Sequence, residues 1–240
     1  MQYISLYLSY GLVAVLVLFI NHKTSLWQTD RVIEFEKPWK EFGYVFLSGL
    51  GVIAIGQIYI AGIRLPSSIQ VLEAINQILI FSPAILLLIL RHKSFDSAWI
   101  NVENAHLKIL TGLGFALSAI LVYSAVGSDR SFFEILIGTY SPKNFPHLIQ
   151  VLCEDILIAM LFIRLKKATS LNIALVVVAS LFAAGHIPAM ISKGFPLEEF
   201  YSLFLDTGLG FFLIYTINKT KDILWFWMVH FAMDMMQFYA

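Results

Sequence analysis

The chain has 240 residues, of which 59% are apolar and only 13% charged, and its mean hydropathy is +0.79. An ordinary soluble domain is about 45–50% apolar and about 25% charged, so a water-soluble globule and a disordered chain are excluded, and the single cysteine, Cys153, excludes a disulfide scaffold. Sixteen basic residues balance sixteen acidic ones, leaving no net field to attract nucleic acid.

A helix crosses the hydrocarbon with about 20 mostly apolar residues. Read in chain order, eight runs qualify: residues 3–20, 42–63, 69–90, 107–126, 147–165, 171–190, 199–217 and 223–239. The first run has no basic n-region and no small-residue cleavage site, so it reads as a retained span rather than a signal peptide. The connections carry breakers and charges: Lys37-Pro38, Leu65-Pro66, Arg91-His92-Lys93, Ser141-Pro142 and Lys219-Thr220-Lys221. Residues 131–140, SFFEILIGTY, are apolar but too short to span, and read as interfacial or re-entrant. The expected fold is all-α, a polytopic transmembrane bundle forming a single membrane domain over residues 1–240. No internal repeat and no pair of broken helices is visible. Twelve of the 16 basic residues fall in the odd-numbered connections or at the run ends that border them (Lys108 and Arg164), the asymmetry expected of eight spans with both termini extracytoplasmic.

Charged groups inside a bilayer cost at least about 2.5–3.5 kcal/mol each on insertion scales, so each one marks a functional candidate. Away from span edges these are Glu73, Glu154, Asp155, Asp206 and Asp234, joined by His186 and His230. Glu73 shares its span with Asn76 and Gln77 and reads as a satisfied polar residue between helices; Asp206 is open between that role and a functional one. The others agree in depth. At about 1.5 Å per residue, Glu154 lies roughly 10 Å, His186 about 6 Å, Asp234 about 9 Å and His230 about 15 Å from the outer ends of their spans. His230 and Asp234, spaced i, i+4, share one helix face.

A pocket built from these groups has limited chemistry. Cys153 adjoins Glu154 in sequence, but adjacent helical residues point about 100° apart, so no nucleophile with a flanking base is present. A carboxylate can take a proton from water while imidazoles stabilise an oxyanion. Two histidines with one or two carboxylates also make a zinc site with an open position for water. Either arrangement hydrolyses a carbonyl compound, most naturally a peptide bond presented from the membrane. Two other functions remain: five buried acids suit a cation or proton transporter, and the same scaffold suits a non-catalytic immunity or regulatory protein.

Three short motifs fall in order on the fifth, sixth and eighth runs: Glu154-Asp155, Phe182-Ala-Ala-Gly-His186 and His230-Phe-Ala-Met-Asp234. Together they resemble the EExxxR, FxxxH and HxxxN/D motifs of the CPBP intramembrane proteases, which include the CAAX prenyl endopeptidases and bacteriocin-processing and immunity proteins. The resemblance covers about residues 147–240; the first four spans and the connecting segment (1–146) carry no part of it. It implies an endopeptidase of a plasma membrane, bacterial in type, acting on a membrane-associated, prenylated or leader peptide. Glu154 would activate water, His186 would position it or bind metal, and His230 and Asp234 would complete the site, with Asp155 as the second acid. Glu154, His186, His230 and Asp234 would be the ligands in a Zn2+-dependent mechanism; a metal-free glutamate–water pair is the alternative. The first motif departs from the pattern, with Asp155 in place of Glu and Ala159 in place of Arg. The nearest basic residue on that run, Arg164, lies off the Glu154 face, so Asp155 must be protonated or paired elsewhere.

Three further features are structural expectations. Trp225, Phe226 and Trp227 suit an aromatic belt at the inner interface. The pairs Gly49/Gly51 and Gly112/Gly114 suit close helix packing. Residues 191–198 read as a plain connector beside the pocket.

Overall fold

The computed structural model describes residues 2–24, 26–27, 33–91 and 95–239; of the connections expected from the sequence, part of the first (residues 25 and 28–32) and the His92-Lys93 part of the third lie outside them. Every regular element among the described residues is helical. The first two runs form α1 (Gln2–Lys23) and α2 (Pro38–Ile60). Pro38 opens α2 at a position where a missing N–H costs nothing. The third run is not one straight helix but two, α3 (Gln70–Ile80) and α4 (Ser82–Leu90), bent by 61° at Phe81. Pro83 is the physical reason: it has no N–H for the carbonyl of Leu79, and its ring crowds the preceding turn.

α5 (Ala105–Gly127) is the fourth run. The short apolar segment forms α6 (Phe132–Thr139), started by a capping box in which the Glu134 N–H donates to Ser131 Oγ at 3.3 Å and the Ser131 N–H donates to Glu134 Oε2 at 2.9 Å. The hydrogen bonds from Ser131 pull the exposed Glu134 carboxyl below its usual range. α7 (Phe145–Ala168) is the fifth run. The sixth divides into α8 (Leu171–Gly185) and α9 (Ile187–Ser192), with His186 at the junction. Pro188 cannot bond back to Ala184, so the helix breaks there. α10 (Ser202–Thr220) and α11 (Leu224–Met236) close the chain.

Among the described residues, five helices can cross a membrane by length and composition, and six if the bent α3–α4 pair counts as one. They make this a multi-pass membrane protein. The two remaining runs of the eight form α7 and α11. At 13 residues, α11 is about 20 Å long, short of the roughly 30 Å hydrocarbon.

α11 packs on α5, α6 and α7; α1 packs on α5 and α10; and α7 also meets α2, α3 and α8. Every residue of α7 from Ala159 to Leu165 is buried, the mark of a helix enclosed by its neighbours. The aromatic-belt expectation fails for the start of α11. Trp225 and Phe226 are 1% and 3% exposed, and the Trp225 indole N–H donates to Thr220 Oγ1 at 3.0 Å. At the start of this short helix, wedged between α5 and α7, Trp227 alone of the three aromatics is partly exposed. Beneath the helix Lys108 and Asp222 form a 2.9 Å ion pair, each side chain 1% exposed. Burial pushes the Asp222 carboxyl up, against the opposing pull of the Lys108 ammonium.

α5 lies close against α11 at Gly112, where a Cβ would run into the backbone of Trp225, whereas Gly114 faces open space. Gly112→Val should force the two helices apart and lower stability by about 1–3 kcal/mol, read as a lower thermal midpoint in detergent. Gly114→Val should leave the midpoint unchanged.

Candidate active site

Four helices deliver the polar residues. On α7, His147, Gln150 and Glu154 follow at i, i+3 and i+7 on one face, while Asp155 points toward α11. α8 brings Phe182 and ends at His186, α10 brings Asp206, and α11 brings His230 and Asp234. They surround a polar cavity of about 270 Å3 lined by Glu154, Phe182, His186, Asp206, His230 and Asp234, and closed by Tyr3, Leu6 and Tyr10 of α1. A second, apolar cavity of about 370 Å3 lies between α2, α7 and α8 and shares Glu154, Phe182 and His186 with the first.

Asp155 Oδ1 lies 2.8 Å from His230 Nδ1, and the two side chains are 0% and 6% exposed. An ionised carboxylate only accepts, so Nδ1 carries a hydrogen and Nε2 is the nitrogen left facing the cavity. Nε2 stands 3.7 Å from Asp234 Oδ1, too far for a hydrogen bond and open to a third atom. The second acid of the first motif thus has its partner on another helix. Ala159, 2% exposed, is part of the hydrophobic core. Arg164 does not reach the site: it donates to the Ser97 carbonyl at 2.9 Å and the Met160 carbonyl at 3.1 Å.

Glu154 accepts from Gln150 Nε2 at 2.8 Å. One ligand atom each from Glu154, His230 and Asp234 lies within 4.8 Å of the others. His186 lines the same cavity but is outside that group; its ring meets Phe182 edge to face at 5.0 Å. Phe182 also contacts His230, whose other neighbour is the stacked Phe226 ring at 5.2 Å. Asp206 joins the cavity and accepts from the Tyr3 hydroxyl at 3.4 Å. Glu73 is elsewhere, accepting from Tyr59, from Asn76 at 3.1 Å and from Gln77 at 2.9 Å, as a satisfied polar group. Cys153 is buried against Val52, Phe81 and Ala84. Ser192 ties the end of α9 to α2 by donating to Gln57 Oε1 at 2.6 Å.

Sequence reasoning passed over His147, Gln150, Tyr3 and Tyr10. The first two were within reach, since they precede Glu154 by seven and four residues on its own face. The tyrosines recur at i, i+7 on α1, but nothing in their spacing says which helix they meet.

Residues 145–236 match the family model described as type II CAAX prenyl endopeptidase Rce1-like. Over this segment the chain is similar to that family. The segment runs from α7 through α11 and contains all three motifs, so it is the stretch that supplies the acids and histidines of the cavity; α1 to α6 lie outside the match. No curated protein and no solved structure matches the chain.

The donor set of Glu154, His230 and Asp234 could hold a divalent cation. Two carboxylates and one imidazole converge, and the imidazole is held through its other nitrogen by a buried carboxylate, the arrangement that orients metal-binding histidines. Equilibrium dialysis against Zn2+ should find one bound ion. Affinity should fall at least about tenfold in Glu154→Gln, His230→Gln and Asp234→Asn and hold in His186→Gln. An equal loss in His186→Gln would contradict the three-residue cluster.

Proposed function

We propose that the chain is an intramembrane endopeptidase that hydrolyses a peptide bond in a membrane-associated peptide or a lipidated protein tail. The observation that carries this reading is the convergence of Glu154, His230 and Asp234 on one cavity within the Rce1-like segment. Glu154 is the general base. It takes a proton from a water molecule in the polar cavity as the oxygen attacks the scissile carbonyl, and then returns that proton to the departing amine. Gln150 holds one Glu154 oxygen and leaves the other for this task. His230, oriented by Asp155, and His186, on the facing wall, stand where charge develops on the carbonyl oxygen. Asp234 completes the donor set. A cation held by Glu154, His230 and Asp234 would polarise the carbonyl and lower the pKa of bound water. The apolar cavity that shares Glu154 and His186 suits the hydrophobic part of the substrate.

In this reading the chain crosses the membrane eight times with both termini extracytoplasmic, the short α11 crossing where the bilayer thins around it. The distribution of basic residues supports that orientation, and the cavity then opens in the outer half of the bilayer.

Cleavage of fluorogenic lipidated peptides by the protein in vesicles tests the proposal. Glu154→Gln should lower the rate about 100-fold or more, the contribution of a general base, with an unchanged thermal midpoint. Full activity in that variant would overturn it.

A further inference from the structure

The His147–Gln150 pair lies outside the three motifs, and its contacts link the two helices that carry the acids. Gln150 Nε2 donates to Glu154 Oε1 at 2.8 Å. A carboxylate accepts only, which fixes the amide: its oxygen must face the other way. That oxygen lies 3.3 Å from His147 Nδ1, so Nδ1 carries a hydrogen. The far nitrogen, Nε2, is buried and pairs with Asp234 Oδ2 at 3.3 Å without an aligned hydrogen bond. A continuous path of side chains therefore runs from Glu154 on α7 through Gln150 and His147 to Asp234 on α11.

This path is the mirror of the Asp155–His230 contact. There an acid of α7 meets a histidine of α11; here a histidine of α7 meets an acid of α11. Residues 147 and 155 of α7 face 234 and 230 of α11 in antiparallel order, so both polar residues of the third motif are gripped from α7. Where the resemblance leads one to expect an arginine on this helix there is Ala159, packed in the core. The basic group that reaches the acids from α7 comes instead from the turns before Glu154.

We propose that His147 and Gln150 are positioning residues that fix Glu154 and Asp234 relative to each other. The inference rests on the hydrolytic reading for its kinetic consequence and on geometry alone for the link itself. Two measurements on the full chain keep these apart. In detergent micelles with histidine-selective 15N labelling, the His147 signals are assigned by their loss in His147→Gln. Asp234→Asn should shift the Nε2 resonance and Gln150→Leu the Nδ1 resonance; a His147 ring that responds to neither substitution overturns the link, whatever the protein cleaves. In vesicles with a fluorogenic lipidated peptide, His147→Ala and Gln150→Leu should lower kcat about 10- to 100-fold, the penalty of a reacting group displaced by about 1 Å, with KM within about twofold of wild type. Gln150→Glu preserves the volume but loses the donor, and should fall as far as Gln150→Leu. Wild-type turnover by Gln150→Glu would reduce Gln150 to packing and overturn its positioning role.

Discussion

The hydrogen bond between Asp155 and His230 is the interaction on which the site depends. Both groups are buried, and a carboxylate removed from water is costly unless it is paired. One of its oxygens has no hydrogen-bond partner among the described residues, so His230 is the main compensation for the Asp155 charge. The bond ties α7 to α11, puts a hydrogen on Nδ1 of His230, and turns the other nitrogen toward Glu154 and Asp234. It also accounts for the absence of an arginine at position 159: with the acid already paired, that position is free to be a small core residue.

The helices outside the Rce1-like segment make this arrangement a cavity rather than a surface. α5 supports α11 through the close approach at Gly112, α1 covers the polar cavity with Tyr3, Leu6 and Tyr10, and α2 forms one wall of the apolar cavity with Phe46, Leu50 and Ile53. The breaks serve the same end. Pro188 stops α8 at His186, so this histidine ends a helix beside the cavity. Both cavities reach Glu154, and Phe182 stands at their junction with its ring against both imidazoles.

Much of this was legible in the sequence because a bilayer makes polarity conspicuous. Acids and histidines at matching depths on antiparallel runs had few other places to go, and Glu154, His186, His230 and Asp234 do line one cavity. Hydropathy also located the runs, including the short α6 with its Ser131–Glu134 cap. It could not show the bend at Phe81, the burial of Trp225, or the pairing of Asp155, since each depends on which helices become neighbours. Trp225 reads as an interfacial residue until α5 is known to lie against it. His147 was passed over for a related reason: at the edge of an apolar run it reads as flanking polarity, and only the approach of α11 gives it Asp234.

The most direct test of the account is a double-mutant cycle on the buried pair. Asp155→Asn, His230→Gln and the double variant would be compared with wild type by reversible unfolding in mixed detergent micelles. Contacting residues in one polar network couple by about 0.5–3 kcal/mol, and the account predicts a coupling of at least about 1 kcal/mol, the double variant being less destabilised than the sum of the singles. Additive losses would mean that Asp155 and His230 do not hold each other, and the architecture of the site described here would be wrong.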